Sequence, residues 1–256
     1  MSETIQIKKD TFYKGSIAVL VVLLIISVFT GGFGMGGTGS VTQNNDGNSE
    51  NNDGDATATT VNVEKIIENP ELFPVLGPAN ADATVIELSD FQCPYCTLAS
   101  GIPSWTSEYE SQYGALIGSA GKTKELAKQG KIRFIYVPLS FLGEESVNAA
   151  EAAYCAGDQE KYFEMHDAIY AASTGPTEHD GKYTKANLKI IAQGVSGLDQ
   201  TEFASCLDGN EKTAKVQQAT SIVQSAGFQI STPQFWVNGK QVQASWTSLQ
   251  AAINAA

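Results

Sequence analysis

The sequence predicts an α/β fold that carries an all-helical insertion, and three observations support this. A short apolar run over 84–89 stops just before Cys93-Pro94-Tyr95-Cys96, and a second β-rich run covers Ile132–Val137. From Glu144 the pattern is helical for about 85 residues, and extended structure returns at Gln234. Strand, helix, strand, helical block, hairpin and final helix is the order of a sheet interrupted by an insertion.

Lys8, Lys9 and Lys14 precede an almost continuously apolar run from Ile17 to Phe29. Continued to Met35 it makes 19 residues, about 28 Å of helix and close to the thickness of a bilayer core. A signal peptide shares this basic flank and apolar stretch but ends in a small-residue cleavage site, and Thr30-Gly31-Gly32-Phe33 offers none. Residues 1–35 are therefore read as an uncleaved transmembrane anchor, with the N-terminus cytoplasmic and the remainder extracytoplasmic; cleavage would make it secreted. Residues 36–60, rich in Gly, Asn, Asp and Thr, read as a disordered linker. The folded part is expected from Val61, with 61–143 and 229–256 as the two parts of the sheet domain and 144–228 as the helical insertion.

Val85, Ile86 and Leu88 make the first strand a buried one. Leu98, Ile102, Trp105 and Tyr109 then trace one helix face, which Gly101 and Pro103 should break. Gly114, Gly118 and Gly121 leave the path of that helix through 110–130 open. The second strand ends at Pro138. Within the helical block, Gly157, Gly194 and Gly227 read as stops, and Asp199 with Glu202 as a capping box before Phe203. Asn238-Gly239 between two short extended runs signals a hairpin. A last helix over Thr247–Ala256 places Leu249 and Ile253 on one face.

Residues 61–256 carry 13 Lys and Arg against 22 Asp and Glu, which is −9 of the chain's formal −12. A domain so acidic, without basic clusters, cannot neutralise phosphates, which excludes nucleic acid as a partner. Two cysteines flanking two residues at a helix start permit thiol chemistry. Unpaired N–H groups and the helix dipole favour a thiolate on the first, and a thiolate is both nucleophile and leaving group in disulfide exchange. Pro94 suits the first helical position. The roles assigned are Cys93 as the exposed attacking thiol and Cys96 as its more buried resolving partner. The same pair is half of a zinc site, but Cys155, Cys206, His166 and His179 supply no second close pair, so no metal is expected.

From residue 74 to 256, about 70 % of the chain, the sequence resembles the DsbA-like thiol-disulfide oxidoreductases of the thioredoxin superfamily. The resemblance rests on Ser89-Asp90-Phe91-Gln92-Cys93-Pro94-Tyr95-Cys96 after a strand, the helical insertion, Thr232-Pro233 before a strand, and the Val237-Asn238-Gly239 turn. It implies a thioredoxin fold with an all-helical insertion. It also implies a redox-active Cys93–Cys96 disulfide with no further cofactor, a cis Pro233 facing it, and Thr232 hydrogen-bonding an extended substrate. Pro94 and Tyr95 join Thr232 in the substrate site, and Phe91, Tyr95 and Trp236 line an apolar patch for unfolded clients, with the core as the alternative for Trp236. Glu87, six residues before Cys93, matches a buried acid beneath the disulfide that can take the proton of Cys96; on an alternating strand it could equally face solvent. Cys155 and Cys206 match positions where some relatives carry a second disulfide between insertion helices, worth on the order of 4 kcal/mol; two buried free thiols are the alternative. His166 matches a commonly occupied helix position and is read as core.

The function this implies is introduction of disulfides into exported proteins. Its partners are reduced or misfolded exported proteins and a quinone-linked membrane protein that reoxidises the site. Isomerase or reductase activity on the same fold is the first alternative: Tyr95 and Thr232 also occur in reducing relatives, although 36–60 is too short and polar for an isomerase dimerisation domain. A non-redox binding or metal-delivery module is the second, disfavoured by the presence of both cysteines and the proline.

Overall fold

The computed structural model describes residues 61–256; the anchor expected over 1–35 and the linker over 36–60 lie outside them. Among the described residues no helix is long and apolar enough to cross a membrane. Helix α1 (Glu64–Ile67) and the short strand β1 (Val75–Leu76) lead to β2 (Thr84–Ser89). The crossover to β3 (Arg133–Pro138) runs through α2 (Pro94–Ser100), a 3-10 helix at Ser104–Tyr109, α3 (Glu110–Tyr113) and α4 (Ser119–Lys128). Five helices follow: α5 (Glu144–Gly157), α6 (Tyr162–Ala171), α7 (Lys185–Ala192), α8 (Gln200–Asp208) and α9 (Thr213–Ser225). The chain closes with β4 (Gln234–Val237), β5 (Lys240–Val242) and α10 (Trp246–Asn254).

The sheet order is β1-β3-β2-β4-β5, with β2 and β3 parallel and the other pairs antiparallel. Side chains alternate across it, so Val85, Glu87 and Ser89 point to one face of β2 and Ile86 and Leu88 to the other. Val85, Phe134, Tyr136 and Phe235 pack with α2 and the insertion helices. Ile86, Leu88, Ile135 and Val137 pack with Phe73, Phe228 and the α9 residues Ala219 and Val223. Both faces are covered, which is why β2 and β3 read as nearly unbroken apolar runs. Ala149, Ala150, Ala152, Ala153 and Ala156 of α5 are wholly buried, small enough for neighbouring helices to approach on several sides. The Cys155–Cys206 disulfide, expected from the resemblance, joins α5 to α8.

The glycines that obscured residues 110–130 mark a crossing. Gly101 closes α2 in the left-handed region at φ 66°, and a Cβ there would lie 2.6 Å from the Gly118 Cα; one on Gly121 would lie 2.5 Å from the Ser100 carbonyl oxygen. The end of α2 thus lies directly against the start of α4. The capping box is corrected to half of one. Asp199 Oδ1 accepts from the N–H groups of Thr201 and Glu202, but its own N–H donates to Gln159 Oε1 at 2.7 Å, a long-range partner in place of Glu202.

Candidate active site

Beyond Ser89 the chain leaves the sheet in a turn, with the Cys93 N–H donating to Asp90 O at 3.0 Å. Asp90 is buried and fully used. Its Oδ1 accepts from Gln92 N–H (2.9 Å) and Ser146 Oγ (2.6 Å), and its Oδ2 from the N–H groups of Phe141 (3.1 Å) and Leu142 (3.2 Å). The Gln92 amide donates to Leu142 O and Ser146 Oγ and accepts from His179 N–H. The loop before Cys93 is thereby fastened to two others. Sequence reading assigned no role to Asp90 or Gln92; an Asp two residues before a bonded N–H is a local turn signal, but the remaining partners are 50 to 87 residues away.

Cys93 caps α2 with φ −66° and ψ 119°, and Pro94 takes the first helical position. The expectation of an exposed Cys93 is corrected: it is 5 % exposed and Cys96 is wholly buried. Thr232 is the cover, its carbonyl oxygen accepting from Cys93 Sγ at 3.7 Å, and the Thr232–Pro233 peptide bond is cis. The β2–β4 ladder begins only at Gln234, so the Thr232 backbone lies beyond it. Both site cysteines are free thiols.

The environment divides the pair. Hydrogen bonding with the Cys96 thiol pulls Cys93 below the ordinary thiol range, burial opposes this, and Thr232 and the N–H groups of Cys96 and Tyr95 add to the pull. Burial pushes Cys96 well above that range, and its bond to Cys93 and the Cys93 charge push it further. One sulfur is thus prepared as a thiolate and the other held as a thiol.

Glu87, only 2 % exposed, points inward on the α2 side of the sheet, so the solvent-facing alternative is excluded. Burial pushes its carboxyl up to about 7, against the lowering influence of the Ser89 hydroxyl and the Lys124 ammonium. A cavity of about 10 Å³, room for roughly one water, is lined by Glu87, Ser100, Lys124, His166 and Tyr170. Lys124 is ion-paired with Asp167, whose carboxylate also bonds His166 Nδ1 at 2.8 Å. Burial lowers His166 to about 4, so it is neutral and core-packed, as expected, and Lys124 is the charge partner of Asp167. Nothing in the sequence separates Lys124 from Lys122 or Lys128; only the fold turns it inward.

Phe91 requires a second correction. Predicted to line a surface patch, it is 1 % exposed and packed against Tyr170, His166 and Tyr136 at ring distances of 5.2, 5.6 and 5.8 Å. Trp236 packs edge-on to Phe228 at 5.1 Å on the other side of the sheet, its core alternative. Tyr95 does stay outside, 44 % exposed and edge-on to Tyr113 at 5.5 Å, and Phe141, 39 % exposed and not singled out from the sequence, lies on the loop held by Asp90.

A mixed sheet whose central strand delivers a capping thiol over a buried one, facing a cis proline, defines a class of thiol-bearing α/β proteins. The chain belongs to the thioredoxin family, whose profile matches residues 117–255; the matched span begins after Cys93 and Cys96. Among curated relatives, Na(+)/H(+) antiporter NhaA 1 of Salinispora arenicola is 28 % identical over 192 residues, covering 73 % of this chain. This chain spans only a quarter (25 %) of that protein's length. Disulfide bond formation protein D of Bacillus subtilis is 23 % identical over 172 residues, 66 % of this chain and 69 % of its own. Relatives from Rickettsia carry protein-disulfide oxidoreductase in their names. A thioredoxin-like oxidoreductase from Silicibacter pomeroyi superimposes with a TM-score of 0.54 at 29 % identity, over 75 % of this chain and 95 % of that one.

Proposed function

We propose that this protein is a thiol-disulfide oxidoreductase that introduces disulfides into exported proteins through Cys93. The observation that carries this reading is the divided pair, Cys93 drawn toward thiolate at the start of α2 and Cys96 held protonated beneath it. A reduced client thiolate attacks the sulfur of Cys93 in the Cys93–Cys96 disulfide, giving a mixed disulfide and releasing Cys96. A second client thiol then attacks the client sulfur, which leaves the client oxidised and the site reduced. Pro94 and Tyr95 present the rim of the site, Pro233 faces the disulfide, and the Thr232 backbone pairs with the extended client. Glu87 exchanges the proton of Cys96, which suits a carboxyl raised to about 7.

The direction of electron flow belongs to the proposal, as do anchoring through residues 1–35, an extracytoplasmic location and reoxidation by a quinone-linked membrane protein. The purified full chain, once oxidised, should refold a reduced disulfide protein, and Cys93→Ser should abolish this; activity retained in the variant refutes the assignment. Equilibration with glutathione fixes direction, since a potential of about −120 mV marks an oxidant and about −270 mV a reductant.

A further inference from the structure

The loop that covers Cys93 is held by a side chain that the roles above leave unused. Residues 229–233 run from the end of α9 to β4, and Thr232 in this loop brings its carbonyl oxygen to Cys93 Sγ at 3.7 Å. Little of the loop's own backbone fixes it. Outside the sheet ladder, and among the described residues, the only backbone-to-backbone hydrogen bond that 229–233 make runs from Ser231 N–H to Gln229 O at 3.1 Å. Thr232 Oγ1 is buried without a partner. Gln234 supplies what is missing. It opens β4 opposite Leu88 and is 7 % exposed, and its amide turns back on the loop. Nε2 lies 2.8 Å from Gln229 O, 2.7 Å from Ser231 O and 3.0 Å from Ser231 Oγ, while Oε1 accepts from Gln241 Nε2 at 3.4 Å. Carbonyl oxygens only accept, so the amide hydrogens of Gln234 are the donors here. Side chains alternate along β4, and Gln234 shares with Trp236 the face of the sheet away from α2. It reaches the thiols only through the loop.

We propose that Gln234 is a positioning residue for client binding, its amide splinting the loop so that the Thr232 backbone meets an extended client in one fixed geometry. The inference rests on the oxidoreductase reading above but holds for either direction of electron flow. β4 is paired on both sides, with β2 and with β5, which makes it a firm base. From that base one amide draws together carbonyls five and three residues back in the chain, and Thr232 is the single residue between Ser231 and Pro233. Without the amide, Ser231 O loses its donor and the loop turns to find another. Pairing with a client then has to order the loop as well as the client. The thiols themselves stand apart from this. Cys93 caps α2, Cys96 lies within it, and neither is a hydrogen-bond partner of Gln234. Their exchange with a small thiol that makes no backbone pairing is therefore independent of the splint.

The test separates peptide from small-thiol exchange. The oxidised full chain is mixed either with dithiothreitol or with a reduced, extended peptide bearing one cysteine, over a range of concentrations. Gln234→Leu, close in size but without the N–H donors, should slow attack by the peptide about tenfold below saturation, through weaker binding and with little change in the maximal rate. Reduction by dithiothreitol should stay at or above the wild-type rate. Peptide attack at the wild-type rate in Gln234→Leu, or equal losses with both reductants, overturns the proposal. A measurement that needs no variant guards against misfolding: by NMR, the side-chain amide protons of Gln234 in the wild-type chain should exchange with solvent at least about tenfold more slowly than those of the exposed Gln243. Equal exchange also overturns the proposal. A wild-type chain whose oxidised form accepts electrons from neither reductant sinks the oxidoreductase reading itself, an outcome distinct from these.

Discussion

Glu87 and His166 sit in one buried pocket and respond to pH with opposite sign. Glu87 has a folded pKa of about 7 against 4.5 unfolded, so the folded chain holds the extra proton between those values. Its contribution to stability is full below 4.5 and is lost as pH rises through 7. His166, lowered from 6.5 to about 4, contributes fully above 6.5 and loses that contribution as pH falls through 4. Each shift is on the order of 3 kcal/mol over its window, and because the windows overlap the two slopes largely cancel in the wild-type protein. Glu87→Gln keeps the shape and removes one slope. Urea unfolding of this variant should show stability rising from pH 4 to 6.5 more steeply than in wild type; equal slopes would mean that Glu87 is not held protonated.

At the scale of elements, the insertion helices are joined covalently at Cys155–Cys206 and by α5's alanines rather than by large apolar side chains. The disulfide closes a loop with a sequence separation of 51, which in the chain-entropy picture stabilises the fold by about 4 kcal/mol. The double variant Cys155→Ala/Cys206→Ala should lower unfolding stability by about 2–4 kcal/mol. It should leave the rate of Cys93 alkylation unchanged, since Cys93 caps α2 and neither cysteine is among its hydrogen-bond partners. A change in that rate would show that α5 and α8 set the geometry of the site.

For the whole molecule, net charge decides which clients approach quickly. Residues 61–256 carry a formal −9, and Glu108 and Glu110 lie exposed near Tyr113, the ring packed on Tyr95. The mixed disulfide with a basic reduced peptide should form faster at low ionic strength and slow as salt rises, while a neutral peptide of the same length shows little change. Equal salt dependence for both would rule out steering by this charge. Measured by stopped-flow fluorescence, the comparison needs no variant.

Local chemistry made much of this legible in the sequence. Apolar runs and turn residues announced the strands and the Asn238-Gly239 hairpin, and Cys93-Pro94-Tyr95-Cys96 after a strand announced a thiol at a helix start. The resemblance carried over Pro233 and the Cys155–Cys206 pairing. Burial and long-range partners were decided only by the tertiary structure. Phe91 and Glu87 both stand a few residues before Cys93, and both point inward, because strand register and the packing of α6 set direction and neither is written in neighbouring residues. Asp90, Gln92 and Lys124 gain their roles from partners brought up from the loop after β3, from α5 and α6, and from the loop around His179. A side chain's identity fixes what chemistry it can do; which charge, hydroxyl or solvent it meets depends on chain segments far away in sequence.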